Sequence, residues 1–186
     1  GDKVMLILRR RYQFWFCLMA LHKLGAVAIP ATHLLSPHDV SYRNNAADIK
    51  MIVAVHDDRV AGHVDEAHPD SPSLRVKASV GGPREGWLDF DRALAEAPAH
   101  FERPQGDQAV EVHDTMLLYF TSGTTSRPKL VAHTHVSYPV GHLSTMWWLG
   151  VRPGDVHLNI SSPGWGKHAW SNFFSPFLAQ ATVFVF

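Results

Sequence analysis

The sequence predicts an α/β fold in which parallel β-sheets are flanked by helices. Short apolar runs without polar alternation recur along the chain, as expected of strands that are buried on both faces. Longer segments separate these runs, and an alternating order of strand and helix is typical of parallel sheets with helical connections. The chain has 186 residues, of which 46% are hydrophobic and 18% are charged. That composition provides enough apolar material for one globular unit.

The first part of the chain, residues 1–97, alternates strands and helices. Gly25 follows the first helical segment and is suited to end it, because glycine readily adopts the left-handed conformation. Ser36-Pro37 predicts a helix start with Ser as N-cap and Pro at the first helical position. In the last helix of this part we expect Leu88, Ala93 and Leu94 to face inward. The expected elements are strand 4–8, helix 12–24, strand 27–30, a helix from Ser36, strand 50–55, helix 57–68, strand 74–80 and helix 87–97.

Residues 98–111 are the one expected linker, because they contain Pro98, Pro104 and Gly106 and lack a helical or strand pattern. We therefore divide the chain into a first α/β segment (1–97), this linker, and a second segment (112–186). The elements expected after the linker are strand 116–120, strand 130–133, helix 136–148, strand 155–160, helix 168–179 and strand 181–186.

Charge and cysteine content exclude several classes of protein. The formal net charge is +0, so no electrostatic footprint for nucleic acid is predicted. No apolar run approaches the roughly 20 residues of a membrane-spanning helix. Cys17, the single cysteine, lies in an apolar helical run and is expected to fill the core of a cytoplasmic protein. The sequence is compatible with a monomer and with a homodimer.

The segment 119–129 carries the most chemical information. It places hydroxyl side chains and Gly123 between an apolar strand and a final Pro-Lys pair. Successive backbone N–H groups, hydroxyls and a cation can together bind a polyphosphate. The spacing is not that of the Walker A motif, because Pro128 stands five residues after Gly123. The alternative is an ordinary Ser/Thr/Gly turn between two strands.

The string Thr-Ser-Gly-Thr-Thr-x-x-Pro-Lys at 121–129 resembles the phosphate-loop signature of the adenylate-forming superfamily. That superfamily includes acyl-CoA synthetases, luciferases and peptide-synthetase adenylation domains. The segments 1–4 (Gly-Asp-Lys-Val) and 24–30 (Leu-Gly-Ala-Val-Ala-Ile-Pro) resemble early segments of the same family, and 162–165 (Ser-Pro-Gly-Trp) resembles a segment of its acetyl- and medium-chain acyl-CoA synthetase branch. The resemblance covers nearly the whole chain in family order.

The resemblance implies a fragment of an acid–CoA ligase, from the large N-terminal domain of an adenylate-forming enzyme. Such enzymes use Mg²⁺ and ATP to convert a carboxylic acid, here a medium-chain fatty acid, to acyl-AMP, and then transfer the acyl group to CoA. The remaining AMP-binding segments, the C-terminal domain and the catalytic lysine are expected outside residues 1–186. The fragment alone is therefore predicted to be inactive. The alternative is a truncated or degenerate AMP-binding module that acts in protein interaction.

The resemblance also implies roles for individual residues. It assigns ATP phosphate binding to a set of loop residues: Thr121, Ser122, Gly123, Thr124, Thr125 and Lys129. It assigns the acyl pocket to Gly164, Trp165 and His168. His133 is a further candidate, either beneath the acyl pocket or exposed. Lys129 and Trp165 have structural alternatives as a surface cation and a core aromatic residue.

The chain departs from the family pattern at two positions. Ser126 stands where the family has Gly, and Ser162 stands where it has Asp, so a carboxylate role is lost at position 162. Among other chemistries, His133 and His135 share the spacing of one strand face, but no third ligand stands at a zinc-motif spacing, and no metal site is predicted. No Gly-x-Ser-x-Gly or Gly-x-Gly-x-x-Gly motif is present, which leaves hydrolase and dinucleotide-dehydrogenase functions unsupported.

Overall fold

The computed structural model describes residues 1–121 and 128–186. The strands are β1 (Lys3–Ile7), β2 (Val27–Pro30), β3 (Ile49–Val55), β4 (Val76–Val80), β5 (Leu88–Asp89), β6 (Thr115–Thr121), β7 (Lys129–Thr134), β8 (Val156–His157) and β9 (Thr182–Val183). The helices are α1 (Gln13–Leu24), α2 (Pro37–Ala47), α3 (Asp58–Ala67), α4 (Phe90–Glu96), α5 (Ser137–Leu149), α6 (Gly166–Ala169) and α7 (Ser175–Leu178). A π-helical turn, Trp170–Phe174, joins α6 to α7.

The larger sheet has the strand order β5-β4-β3-β1-β2-β6-β7 and is parallel except for its last pair. β1 lies at the centre because its apolar side chains are buried on both faces. One face packs against α1 through residues such as Phe14 and Leu18, and the other packs against α2 and α3 through residues such as Val40 and Val64. This confirms the predicted mostly parallel sheet with helices on both faces.

The end of α1 and the start of α2 lie where local sequence signals predicted them. Gly25 ends α1 with a φ of 68°, a left-handed conformation that favours glycine. Ser36 caps α2 by accepting a hydrogen bond from the backbone N–H of Asp39, whose carboxylate accepts one from the N–H of Ser36. This reciprocal pair satisfies two backbone donors that the helix itself leaves unpaired.

Several element predictions were wrong in detail. β7 is antiparallel to β6, because only a short connection separates the two strands and a parallel pairing needs a crossover of a dozen or more residues. Leu88 lies in the edge strand β5 rather than in a helix, and both Leu88 and Leu94 are exposed. The short edge strand and α4 cover only the margin of the sheet, so neither leucine faces inward as expected.

The elements after α5 also differ from the predictions. The expected strands 155–160 and 181–186 form only the two-residue parallel pair β8 and β9. The expected helix 168–179 begins earlier, at Gly166, and is interrupted by the π-helical turn. Within residues 98–111 the structure contains one short 3₁₀ helix, Gly106–Gln108, and the division of the chain at this linker stays a prediction.

Candidate functional site

The carboxyl ends of β1 and β2 form the candidate site. The chain leaves β1 towards α1 on one face of the sheet and leaves β2 towards α2 on the other face. Connections that depart in opposite directions create a crevice between the strand ends, and open α/β sheets bind their ligands at such a switch point. β6 is parallel to β2, so its last residue, Thr121, lies at the same edge.

The turn 162–165 lies directly on this edge. Gly164 has a φ of 102°, and a Cβ atom at this position would overlap the carbonyl carbon of Ala31, the residue after β2. Real Cβ atoms do not approach backbone atoms this closely, so no other residue type fits at position 164 without moving the chain. Arg10, after β1, donates a 2.7 Å hydrogen bond from Nη2 to the carbonyl oxygen of Ile160. Both strand ends therefore hold the segment that precedes α6.

The helical segment after this turn is anchored through its π-helical turn. The π turn moves the N–H of Ser175 to Trp170 and so frees the carbonyl of Ser171. The carbonyl of Asn172 also lacks a helical donor, because Pro176 has no N–H. The carbonyl of Asn172 accepts a buried 2.9 Å hydrogen bond from Trp15 Nε1, and the carbonyl of Ser171 bonds His157 Nε2 at 2.7 Å. The first turn of α1 and strand β8 thus fix the position of the helix that follows Trp165.

The described ends of the predicted phosphate loop are Thr121 and Lys129. They pair directly across the β6–β7 ladder, and the Thr121 hydroxyl lies 3.5 Å from the carbonyl oxygen of Lys129. Both residues are exposed, so both side chains are available at the edge of the sheet. The other predicted loop residues, Ser122, Gly123, Thr124 and Thr125, lie outside the described residues, as does Ser126.

The three predicted acyl-pocket residues occupy different environments. Gly164 forms the tight contact described above, and Trp165 is 56% exposed. His168 is buried between the rings of Phe14 and Trp15, whose centroids lie 5.0 and 5.4 Å away. Burial, with a contribution from Arg10, lowers the pKa of His168 to about 3. Its Nε2 lies 3.1 Å from Asn172 Nδ2, and an amide nitrogen can only donate, which fits a neutral imidazole acceptor.

The two histidines after the loop, His133 and His135, contact different aromatic side chains. His133 lies in β7, and its ring is 4.3 Å from that of Tyr138. His135 follows the strand and packs against His22 instead, at 5.6 Å between ring centroids. Burial lowers the pKa of both histidines. Because β7 ends at Thr134, His135 lies outside the strand, and the alternation of a single strand does not apply to this pair.

No group of three or more His, Cys, Asp or Glu side chains within 1–121 and 128–186 is arranged to hold a metal ion. None of the helices in these ranges has the length and apolar character that a membrane crossing needs. Two open clefts of about 390 and 420 Å³ lie at the opposite, amino edge of the sheet, near His22 and near Gly1 respectively. Neither cleft contains a residue of the predicted site.

Sequence reasoning missed the residues that hold the site in place, among them Arg10, Trp15, Asn172 and Tyr42. Trp15 and Asn172 meet across 157 positions of sequence, and Tyr42 reaches Pro128 across 86. No local pattern marks such partners. Cys17, by contrast, is buried as expected, and burial raises its pKa to about 12, which favours the neutral thiol at neutral pH.

Comparison with known proteins gives a consistent family. The model of the AMP-binding enzyme family matches residues 1–186. The chain is 39% identical over 184 residues to 4-hydroxybutyrate–CoA ligase 1 of Metallosphaera sedula, covering 98% of this chain and 30% of the relative. It is 36% identical over 186 residues to the mitochondrial acyl-coenzyme A synthetase ACSM3 of Homo sapiens, covering 99% and 31%. The chain thus spans about a third of the length of these curated relatives.

Solved structures share the fold. The anthranilate CoA ligase AuaEII, solved with anthranoyl-AMP, superposes with a TM-score of 0.87 at 24% identity, covering 100% of this chain and 35% of that one. The acyl-CoA synthetase of Brucella canis gives a TM-score of 0.82 at 21% identity, covering 100% and 33%. At these identities the likeness establishes the fold alone.

Replacement of Gly164 tests the close approach to Ala31. We expect Gly164→Ala to lower the free energy of unfolding by about 2–4 kcal/mol, because it adds both an unfavourable φ and a backbone clash. The matched control is Gly166→Ala, since no atom lies within 4 Å of a Cβ at position 166. Denaturant unfolding measures both variants, and equal stability of the two would contradict the contact.

Acid should destabilise the fold through its buried histidines. The pKa of His168 is about 3 and that of His22 is about 4, against 6.5 for a free histidine. The unfolded chain therefore binds protons that the native chain excludes, so the stabilisation is complete above pH 6.5 and declines as pH falls towards the native pKa values. As the pH falls from about 7.5 to about 5, each of these two histidines should lower the free energy of unfolding by about 1–2 kcal/mol.

Denaturant midpoints at the two pH values measure this effect. His168→Gln should reduce the acid-induced loss, whereas His113→Gln, at an exposed position, should leave it unchanged. Equal stability of the natural chain at both pH values would show that these histidines do not titrate with folding.

Proposed function

Because the chain belongs to the AMP-binding enzyme family, we propose that it is part of an AMP-forming acid–CoA ligase. The observation that carries the proposal is the family match over every residue from 1 to 186, which includes the string 121–129. The named relatives are CoA ligases and acyl-CoA synthetases. They give no support to the alternative of a non-catalytic interaction module.

The proposed reaction has two steps. A carboxylate oxygen of the acid attacks the α-phosphorus of ATP, forming an acyl-phosphate bond and releasing pyrophosphate. The thiolate of CoA then attacks the acyl carbon, forming a thioester and releasing AMP. The acid, ATP and CoA are the proposed partners, and the free Cys17 supports a reducing compartment, for which we propose the cytoplasm.

The pyrophosphate that leaves in the first step develops negative charge, which donors already in position would stabilise. We assign this role to Thr121, to Lys129 and to the residues between them that sequence reasoning selected: Ser122, Gly123, Thr124 and Thr125. Support comes from the exposed positions of Thr121 and Lys129 at the carboxyl edge. The described residues offer no ligand cluster for Mg²⁺, so we treat Mg²⁺ as entering with ATP.

We propose a medium-chain fatty acid as substrate, with its tail against Trp165. The indole is 56% exposed, and Gly164 holds it beside the carboxyl end of β2. An aromatic face of this kind offers an apolar wall to an acyl chain. His168 lies on the helix that follows Trp165 and packs between Phe14 and Trp15 as a buried imidazole, so we assign it a role in positioning the wall. His133 pairs with Leu117, near the amino end of β6, so we assign it no contact with the acid.

Acid-dependent ATP–pyrophosphate exchange tests the proposal in the full-length protein that contains this chain. We expect octanoate to support ATP–pyrophosphate exchange, and we expect a CoA thioester to form once CoA is added. Residues 1–186 alone should form no thioester. Lys129→Met should raise the KM for ATP about tenfold, as expected for loss of a charge-assisted contact. Lys23→Met is the control, because Lys23 is exposed at the opposite edge of the sheet.

Absence of exchange with octanoate, 4-hydroxybutyrate and anthranilate alike would contradict the ligase proposal. Exchange with one of the latter two and not with octanoate would replace the proposed fatty substrate while keeping the reaction.

Trp165→Ala should shift substrate preference towards longer or bulkier acids. Removal of the indole opens space that further methylenes can fill, each contributing about 0.8 kcal/mol when buried. The measurement is kcat/KM over acids of increasing length. Trp148→Ala is the control, because Trp148 is 78% exposed on α5. An unchanged length profile for Trp165→Ala would remove Trp165 from the acyl pocket.

A further inference from the structure

Helix α2 contacts a described residue on each side of the predicted phosphate loop. The hydroxyl of Tyr42 donates a 3.0 Å hydrogen bond to the carbonyl oxygen of Pro128, the residue immediately before β7. The ring of Tyr42 meets that of Phe120 edge to face, with centroids 6.3 Å apart. The guanidinium carbon of Arg43 lies 4.6 Å from the centroid of Phe120. Two adjacent helical residues thus hold a residue near the end of β6 and the residue before β7.

These contacts add to the hydrogen bonds that join β6 and β7 within the sheet. β6 and β7 are joined by their own ladder, which ends at the pair Thr121 and Lys129. Tyr42 and Arg43 add a connection from a helix that is fixed at its start by the capping box at Ser36 and that packs Val40 and Ala47 into the core. The helix can therefore fix the position of Pro128 relative to the ends of the strands. The β6–β7 ladder does not include Pro128 and so does not fix this position.

We propose that Tyr42 and Arg43 are positioning residues for phosphate binding, acting through Pro128 and Phe120. This rests on the proposed function, since Pro128 precedes Lys129 and Phe120 precedes Thr121, the two described residues assigned to the ATP phosphates. Neither Tyr42 nor Arg43 is assigned a contact with substrate. Catalytic groups must be held to within a fraction of an ångström by their surroundings, and the hydroxyl of Tyr42 supplies such support for Lys129.

The sharpest variant is Tyr42→Phe, which removes one hydroxyl and keeps the ring on Phe120. In the full-length protein we expect the KM for MgATP to rise about three- to tenfold, the range of one lost hydrogen bond. The KM for the acid and the melting temperature should stay near their natural values. Arg43→Lys keeps the charge but loses the planar contact with Phe120, and should shift the KM for MgATP in the same direction.

The control is Tyr12→Phe, because Tyr12 is 54% exposed, packs edge to face on Phe16 and lies in the turn before α1. It should change neither KM nor melting temperature. A second measurement, amide hydrogen exchange in peptides covering residues 129–134, needs no activity. Exchange there should be faster in Tyr42→Phe than in the natural protein and in Tyr12→Phe.

The outcomes separate the two proposals. No acid-dependent pyrophosphate exchange by the natural protein would overturn the proposed function, and the hydrogen-exchange measurement would then still show whether Tyr42 restrains β7. Normal activity with an unchanged KM for MgATP in Tyr42→Phe would overturn the positioning role. Faster amide exchange without a change in KM would reduce Tyr42 to a structural contact and would equally overturn it.

Discussion

The contact between Gly164 and Ala31 is the constraint on which the candidate site depends. It brings a segment from the last part of the chain against the carboxyl end of β2, a strand from the first part. A side chain at position 164 would overlap the backbone of Ala31, so the two segments meet through their backbones. The exposure of Trp165 and the burial of His168 follow, because these residues lie on the turn and helix that leave this contact.

The packing around that contact combines buried aromatic rings with the charged side chain of Arg10, which donates to the carbonyl of Ile160. Trp15 combines a buried ring with a hydrogen bond to the carbonyl of Asn172. This bond satisfies a carbonyl whose i+4 residue, Pro176, has no N–H to donate. His168 sits beside Trp15 as an uncharged imidazole. A second cluster, formed by His133, Tyr138, His142 and Phe174, packs ring against ring on the same face of the sheet. Burial lowers the pKa of His142 as well, with His133 contributing, so acid acts on both clusters in the same direction.

The two faces of the sheet support different parts of the proposed ligase site. The face covered by α1 carries Trp15, which holds the helical segment after Gly164. We assign this segment to the proposed acyl pocket. The face covered by α2 carries the contacts to Phe120 and Pro128, which belong to the proposed phosphate site. Both sets of contacts converge on the carboxyl edge because β1, β2 and β6 run in the same direction. A parallel sheet thereby brings distant parts of the chain, which we propose to bind the acid and the nucleotide, to one crevice.

The sequence by itself determined most of the strand and helix order, the cap at Ser36 and the end of α1 at Gly25, because each depends on residues close in the chain. Its motifs also indicated the family. It also selected Gly164 and the string 121–129. Only the tertiary structure decided the exposure of Leu88 and Leu94 and the packing of His135 against His22. It alone identified Arg10, Trp15 and Tyr42 as supports of the site. Their partners lie 86 to 157 positions away, and hydrogen bonds over such separations exist only once the sheet and its helices have brought the two segments together.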